Sequence, residues 1–413
     1  MSQKWLPSGL LLICLVLTTC SAKKEDGVGL SVNFPEVEGP IQITKEGKEH
    51  FFASYYGINS FSKNQRYATV LQTDIKDRLP TENDAAVLGL VDLKTREFKE
   101  ISLTRAWNFQ QGCMAHWLAT NPDSLIIFND YRAGQLVSVI INVHSQKEVK
   151  TFDRPVSAVS PDGRYAISIN FARLREARDS YGYGGQGQPT DISDPFPQDD
   201  GLFLLDLSTG ESKLLISYDE VKNEVPTLPS GGYEYFNHTL FSRDGSRIFW
   251  LARARPERNT TALTVNIDGS NLSKCFPTAW GGSHYDWLSG DELMVTAEYE
   301  GMQYGHILFE VGQKNYKRLG KGLLDYDGHG TFSPDKKWMA TDTYPKNGLR
   351  EQKLYLMDMK TEAVISLGRF AQPEEYKKKW RCDLHCRWSP DSDIIGFNSA
   401  HKGSRQAYIF RLN

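Results

Sequence analysis

Short apolar runs of strand length recur along this chain, and turn signals separate them. Leu90-Val-Asp-Leu93, Val139-Ile-Ile-Asn-Val143, Leu202-Phe-Leu-Leu-Asp-Leu207, Leu263-Thr-Val-Asn-Ile267, Ile307-Leu-Phe-Glu-Val311, Leu354-Tyr-Leu-Met-Asp358 and Tyr408-Ile-Phe-Arg-Leu412 are the clearest. Turns of the kind Ser160-Pro-Asp-Gly163, Ser333-Pro-Asp335 and Asp206-Leu-Ser-Thr-Gly-Glu211 punctuate them. Aspartate and glycine at such places suit tight hairpins. Strands repeating with a period of some 40–50 residues signal an all-β β-propeller with one four-stranded blade per repeat. Seven units fit, the first built around Phe61-Ser-Lys-Asn64 and Leu90–Leu93. The seventh has no outer strand of its own. Ile41-Gln-Ile-Thr44 is predicted to supply it and close the ring, because an unpaired edge is a liability.

One side chain stays in register with the later repeats. His238, His284, His329 and His385 each open a His-x-x-aromatic run, at intervals of 46, 45 and 56 residues. Equivalent positions in successive blades lie on a ring around the axis, so four of the nine histidines are predicted to converge. His284, His329 and His385 come from adjacent blades, and Cys382 lies three residues before His385. Zinc takes its ligands from Cys, His and carboxylate, and a catalytic site leaves one position open. These four residues are therefore the candidate ligand set for a divalent metal, with or without the cysteine. Histidines in register can also serve only as hydrogen-bonding groups across a channel. His238, the furthest round from Cys382, is the candidate acid or base, since a neutral imidazole titrates near working pH. A fourth ligand is the other role open to it.

Loops between the second and third strands face the same end as the histidines. They include Arg132, Arg253, Tyr344 and one long insertion, Phe171–Asp200, which carries Arg173, Tyr181 and Tyr183. Such a loop reads as a lid. A guanidinium there could grip a carboxylate through two hydrogen bonds, and tyrosines could stack on sugar rings. Hydrolysis would instead need two flanking carboxylates; Asp130, Glu298, Glu300 and Asp342 offer them, but nothing selects a pair.

The ends and composition narrow the setting. Lys4, the apolar Leu10–Leu17 and Leu17-Thr-Thr-Cys20 read as a lipoprotein signal over residues 1–20, with 21–29 as a tether and 30–413 as one propeller domain. The expected location is a bacterial outer membrane, periplasm or cell surface, with membrane contact only through the lipid. The chain is read as a monomer. A formal net charge of −3 gives no reason to expect nucleic acid. Cysteines 113, 275, 382 and 386 are too scattered for a disulfide scaffold. No G-x-S-x-G elbow or P-loop occurs, and the glycine-rich Gly182–Gly187 lacks the strand-to-helix context of a dinucleotide site.

The Phe-Ser-x-Asp-Gly repeats resemble those of TolB-like propellers. The histidines of Asp325-Tyr-Asp-Gly-His329 and Cys382-Asp-Leu-His385 resemble those of oligogalacturonate lyases, seven-bladed propellers whose channel metal is held by histidines and a glutamine. A looser resemblance is to propeller-fold ulvan lyases, which use His, Tyr and Arg and carry a zinc on His and Cys. The resemblance covers the last five blades. It implies β-elimination on a uronate-containing oligosaccharide, with His284, His329, His385 and Cys382 as ligands. His238 would be the base, Tyr181 or Tyr344 the acid, and Arg173 or Arg253 the carboxylate clamp. Cys382 stands where the lyase pattern has its glutamine, and a thiolate moves the implied metal from manganese toward zinc. A non-catalytic propeller that binds glycan or protein around a structural metal is the alternative.

Overall fold

The computed structural model describes residues 34–185, 187–276, 282–299, 302–313, 315–345 and 350–413. The signal and tether residues read from the sequence lie outside them, as does Glu300. Seven four-stranded antiparallel sheets form a seven-bladed β-propeller. The inner strands of blades four to seven are Tyr233–Phe241, Gly282–Trp287, Thr331–Phe332 and Arg387–Trp388. Blade seven takes its outer strand from the N-terminal segment Val37–Gln42, which pairs with Gln406–Leu412 (Ile41 opposite Ile409, Gln42 opposite Tyr408). This closure satisfies the edge that the last blade would otherwise present.

Between blades the alternating inward positions form the core. Trp107, Trp250 and Trp287 are completely buried, as are Phe249, Leu251 and Leu293. Burying one such side chain stabilises the fold by about 1.5–3 kcal/mol. The Ser-x-Asp turns are stapled by their own side chains: Ser160 Oγ, Ser242 Oγ and Ser333 Oγ donate to Asp162, Asp244 and Asp335 at 2.6–2.7 Å. Blade seven departs from this, because Ser389 Oγ reaches Asp393 instead of Asp391.

The first blade differs from the sequence expectation. Its inner strand is Glu49–Phe52, upstream of the Phe61 run, and Phe61 makes only a single bridge to Ala68. Phe52 is opposite Val70 and Phe61 opposite Ala68, and Thr69 between them bonds both Ala53 and Ser60, so residues 54–59 leave the ladder across a single partner residue. That excursion carries Tyr55 and Tyr56 into the central channel, where they meet the histidines. Among the described residues no helix is long and apolar enough to cross a membrane.

The insertion expected to form a lid is built into the body instead. Its helix Phe171–Ala177 buries Phe171, Leu174 and Ala177 and is capped by Asn170. Arg173, proposed from sequence as a carboxylate clamp, is fully buried and spent on the protein itself. It donates to the carbonyls of Glu234, Asp191, Asp194 and Pro195 and packs over Tyr218. Four of its five N–H donors are spent on these carbonyls and the side chain has no exposed surface, so it is not placed to grip a substrate carboxylate. Beside it, Glu234 is buried with Oε2 unpartnered. Burial pushes its carboxyl up to about 8, against the pull of the Arg173 charge. A raised carboxyl pKa stabilises the fold fully below the ordinary value of 4.5, and that contribution is lost as pH climbs through about 8. Stability is therefore expected to decline by on the order of 2–4 kcal/mol across this window. Glu234→Gln should flatten the decline in melting experiments; a variant as pH-sensitive as the wild type would disprove the assignment.

Candidate functional site

Four histidines do meet at the channel mouth, held by groups the repeat pattern does not reveal. The imidazoles of His284 and His329 lie 4.1 Å apart between centroids, and those of His329 and His385 4.3 Å apart. Tyr56 stands among them, within 6 Å of all four rings. Its hydroxyl accepts from the Tyr285 amide at 2.9 Å and lies 3.1 Å from His238 Nε2. His238 and His385 adopt left-handed backbone angles (φ 58° and 51°) at or beside their inner strands. Such conformations are uncommon for a residue with a Cβ and cluster at functional sites.

Asp342, from blade six, is the organising anion. One carboxylate oxygen accepts from the His329 amide and from His329 Nδ1, both at 2.8 Å. The other accepts from the His385 amide at 2.9 Å. Gly328 makes the approach possible, since a Cβ there would lie 1.9 Å from the Asp342 carbonyl oxygen. A carboxylate on Nδ1 turns Nε2 outward as a free lone pair, the usual support for a ligating histidine. Arg387, fully buried, ties the parts together. It donates to the Ser54 and Tyr55 carbonyls of the excursion and to the His385 carbonyl.

The donor atoms that converge are those of His329, His385 and Asp383, all buried and within 4.8 Å of one another. These three residues could coordinate a metal ion. Asp383 is held by Arg381 Nε at 2.7 Å and by Gln110 at 3.3 Å. His385 Nε2 is buried without a hydrogen-bond partner, and a metal would satisfy it. Burial, and after it the His329 charge, keeps His385 well below its ordinary pKa, so it is neutral and able to ligate. His329 is shifted upward: burial resists its charge, but the carboxylates of Asp342, Asp383 and Asp327 together outweigh burial.

Cys382 does not join this set, which corrects the sequence assignment. Its side chain packs with Tyr376 and Ala400, and its thiol faces the Arg405 guanidinium. Burial raises that thiol to about 11. The neighbouring carboxylate of Asp383 takes its place among the convergent donor atoms. The argument for zinc over manganese rested on the thiolate and falls with it. Two imidazoles and a carboxylate suit either ion.

His284 is likewise outside the convergent trio, and its surroundings give it other work. Its Nδ1 lies 2.9 Å from Asp327 Oδ1, and its Nε2 lies 3.0 Å from the Tyr344 hydroxyl. Tyr344 is also 3.2 Å from His329 Nε2 and sits under the Arg381 guanidinium. Asp327, His284 and Tyr344 thus form a carboxylate–imidazole–phenol chain at the edge of the cluster. Burial would raise Asp327, but His284 and Ser283 hold it down at about 2, so it is ionised and fixes the Nδ1–H tautomer. His284 is lowered by burial, then by the His329 charge, and stays neutral. Burial keeps the Tyr344 proton on, seconded by the Asp383 charge.

The remaining sequence candidates scatter. His238 lies across the ring on Tyr56, its pKa driven far down by burial and by the charges of His284 and Arg253. Arg253 has a buried Nε without a partner and its charge acts on His238 and Tyr285. Tyr181 stands edge-on to Tyr55 at 6.2 Å, under Arg178. Tyr183 is buried against Phe171 and accepts from Asn129. Arg132 is committed to Asp130 and Glu148. Asp342 is committed to the two histidines, so neither it nor Asp130 belongs to a free carboxylate pair.

No protein-family profile matches the chain, and no curated protein matches it in sequence. Solved structures match it in shape. An oligogalacturonate lyase from Vibrio parahaemolyticus aligns over 92% of this chain and 98% of its own, at 12% identity and a TM-score of 0.62. An oligogalacturonate lyase in complex with manganese aligns over 90% and 92%, at 16% identity and a TM-score of 0.64. A prolyl endopeptidase aligns over 88% of this chain and 50% of its own, at 10% identity and a TM-score of 0.50. Similarity at these identities is one of fold. The fold serves unrelated activities, so function must be argued from the site.

Proposed function

We propose that this propeller is a metal-assisted polysaccharide lyase that cleaves uronate-containing oligosaccharides by β-elimination. The observation that carries the reading is the buried His329–His385–Asp383 cluster lying directly against the Asp327–His284–Tyr344 chain. The shared fold with two oligogalacturonate lyases, over 92% and 90% of this chain, is compatible with it. A divalent cation on that cluster would neutralise the uronate carboxylate, acidify the adjacent C5–H and offset the Asp383 charge that adds to burial in holding the Tyr344 proton.

Tyr344 is the proton carrier in this reading, in preference to His238. Asp327 presents His284 with its Nε2 lone pair toward the Tyr344 hydroxyl, and His284 draws off the phenolic proton. The phenolate takes the C5 proton. The electron pair left behind becomes the C4–C5 double bond as the C4–O bond breaks, the departing oxygen takes that proton from Tyr344, and His284 returns the phenolic proton to restore the starting state. Arg381, above the Tyr344 ring, favours the phenolate. General acid–base groups of this kind contribute about 10²–10⁴ in rate. Tyr344→Phe is therefore expected to lower kcat by that factor while bound metal is retained. The check is ultraviolet absorbance of the unsaturated product beside elemental analysis. Near-wild-type turnover in Tyr344→Phe, with His238→Ala inactive, would return the role of base to His238.

A further inference from the structure

A cleft of about 450 Å³ opens beside the metal cluster, walled by the insertion, by blade four and by the segment entering blade seven. It shares Gln110 and Arg381 with the Asp383 environment and Tyr181 with the channel mouth. Seven cationic side chains line it against two acids, in a chain of net charge −3. Lys379 pairs with Asp179 across the cleft, and Arg381 with Asp383. Among the described residues, no ion pair joins Arg175, Arg178, Arg258 or Lys378 to a carboxylate. Arg178 stacks on Tyr181, and Arg255 is anchored on the Ala177 carbonyl. Cations gathered in excess over acids in a concave site raise the local concentration of anions.

We propose that this cleft is a second anion-binding region, which holds further uronate groups of the same chain beyond the bond that is broken. The proposal rests on the uronate reading of the metal cluster. Several lysines and arginines along one cleft match a polymer with a charge on successive residues. The region should act on KM and on chain-length preference, because it does not touch the reacting atoms. Arg258 and Lys378, both exposed, are the positions to change, since neither supports the fold.

The test is isothermal titration of the full chain with galacturonate, guluronate and ulvan-type hexamers. Their dimers, carboxyl-reduced hexamers and a thymidylate dodecamer serve as comparisons. The expected result is one polyuronate hexamer binding at least tenfold tighter than its dimer, by an advantage that shrinks with added salt. The Arg258→Ala/Lys378→Ala variant should lose about tenfold for that hexamer and nothing for the dimer. Binding of this kind without any unsaturated product would uphold the cleft and remove the lyase reading. Equal affinity for hexamer and dimer, or a double variant that binds as wild type, would overturn the cleft. The thymidylate dodecamer binding as tightly as every hexamer would overturn its assignment to glycan.

Discussion

Replacing His385 by alanine is expected to strip the divalent metal from the protein and to lower elimination by about a thousand-fold or more. The imidazole contributes a buried ring nitrogen with no hydrogen-bond partner, 3.8 Å from the Asp383 carboxylate, and a metal held between them would lose one of its donors. Lewis-acid stabilisation of a developing anion is worth several kcal/mol, and about 4 kcal/mol corresponds to three orders of magnitude in rate. Asp383→Asn should follow the same course through loss of the carboxylate donor. Cys382→Ala provides the contrast: its thiol faces Arg405 and not the histidines, so metal content should stay at the wild-type level. Elemental analysis of the three purified variants checks the assignment. Metal lost from Cys382→Ala and kept by His385→Ala would reverse it.

Asp342→Ala should injure both the site and the fold. Its carboxylate accepts two buried amides and one buried imidazole N–H. Truncation leaves all three without partners, at about 1–3 kcal/mol each. Partial relaxation makes a net loss of about 3–5 kcal/mol the expected figure, read as a fall in urea midpoint. Loss of a carboxylate that orients a ligating histidine also weakens metal binding about 10–100-fold. Asp342→Asn separates the two effects. Its single carbonyl oxygen can keep the His329 contacts, but its amide would face the His385 N–H, so stability and affinity should fall between wild type and alanine. An Asp342→Ala protein with wild-type stability and metal affinity would contradict the organising role given to this residue.

The fold was legible because its signals are periodic. Apolar runs such as Ile307–Val311, the Ser-x-Asp turns and the histidine spacing all repeat with the blade, and the strand that closes the ring was called close to where it lies, Val37–Gln42. The first blade was less legible, since its inner strand is interrupted by the excursion that carries Tyr55 and Tyr56. Adjacent tyrosines followed by a glycine are the only trace of it in the sequence. The four histidines, read from register, do meet. What register cannot say is which way each side chain turns. Cys382 and Asp383 are neighbours, yet the carboxylate meets the histidines while the thiol faces Arg405. The partners of the imidazoles, Asp327 and Asp342, come from other loops and strands, where no repeat marks them. Arg173 looked like a clamp because it lies in an arginine-rich insertion. Only the structure shows its donors spent on four carbonyls.

The central claim is metal-dependent elimination at the His329–His385–Asp383 cluster. Its most direct test is ultraviolet absorbance of the unsaturated product on galacturonate, guluronate and ulvan-type oligosaccharides. The purified protein would be assayed as prepared, after chelation, and after return of manganese or zinc. The account predicts a rise on at least one substrate that chelation abolishes and the metal restores. An undiminished rise in metal-free protein, or no rise on any uronate with the metal bound, would contradict it.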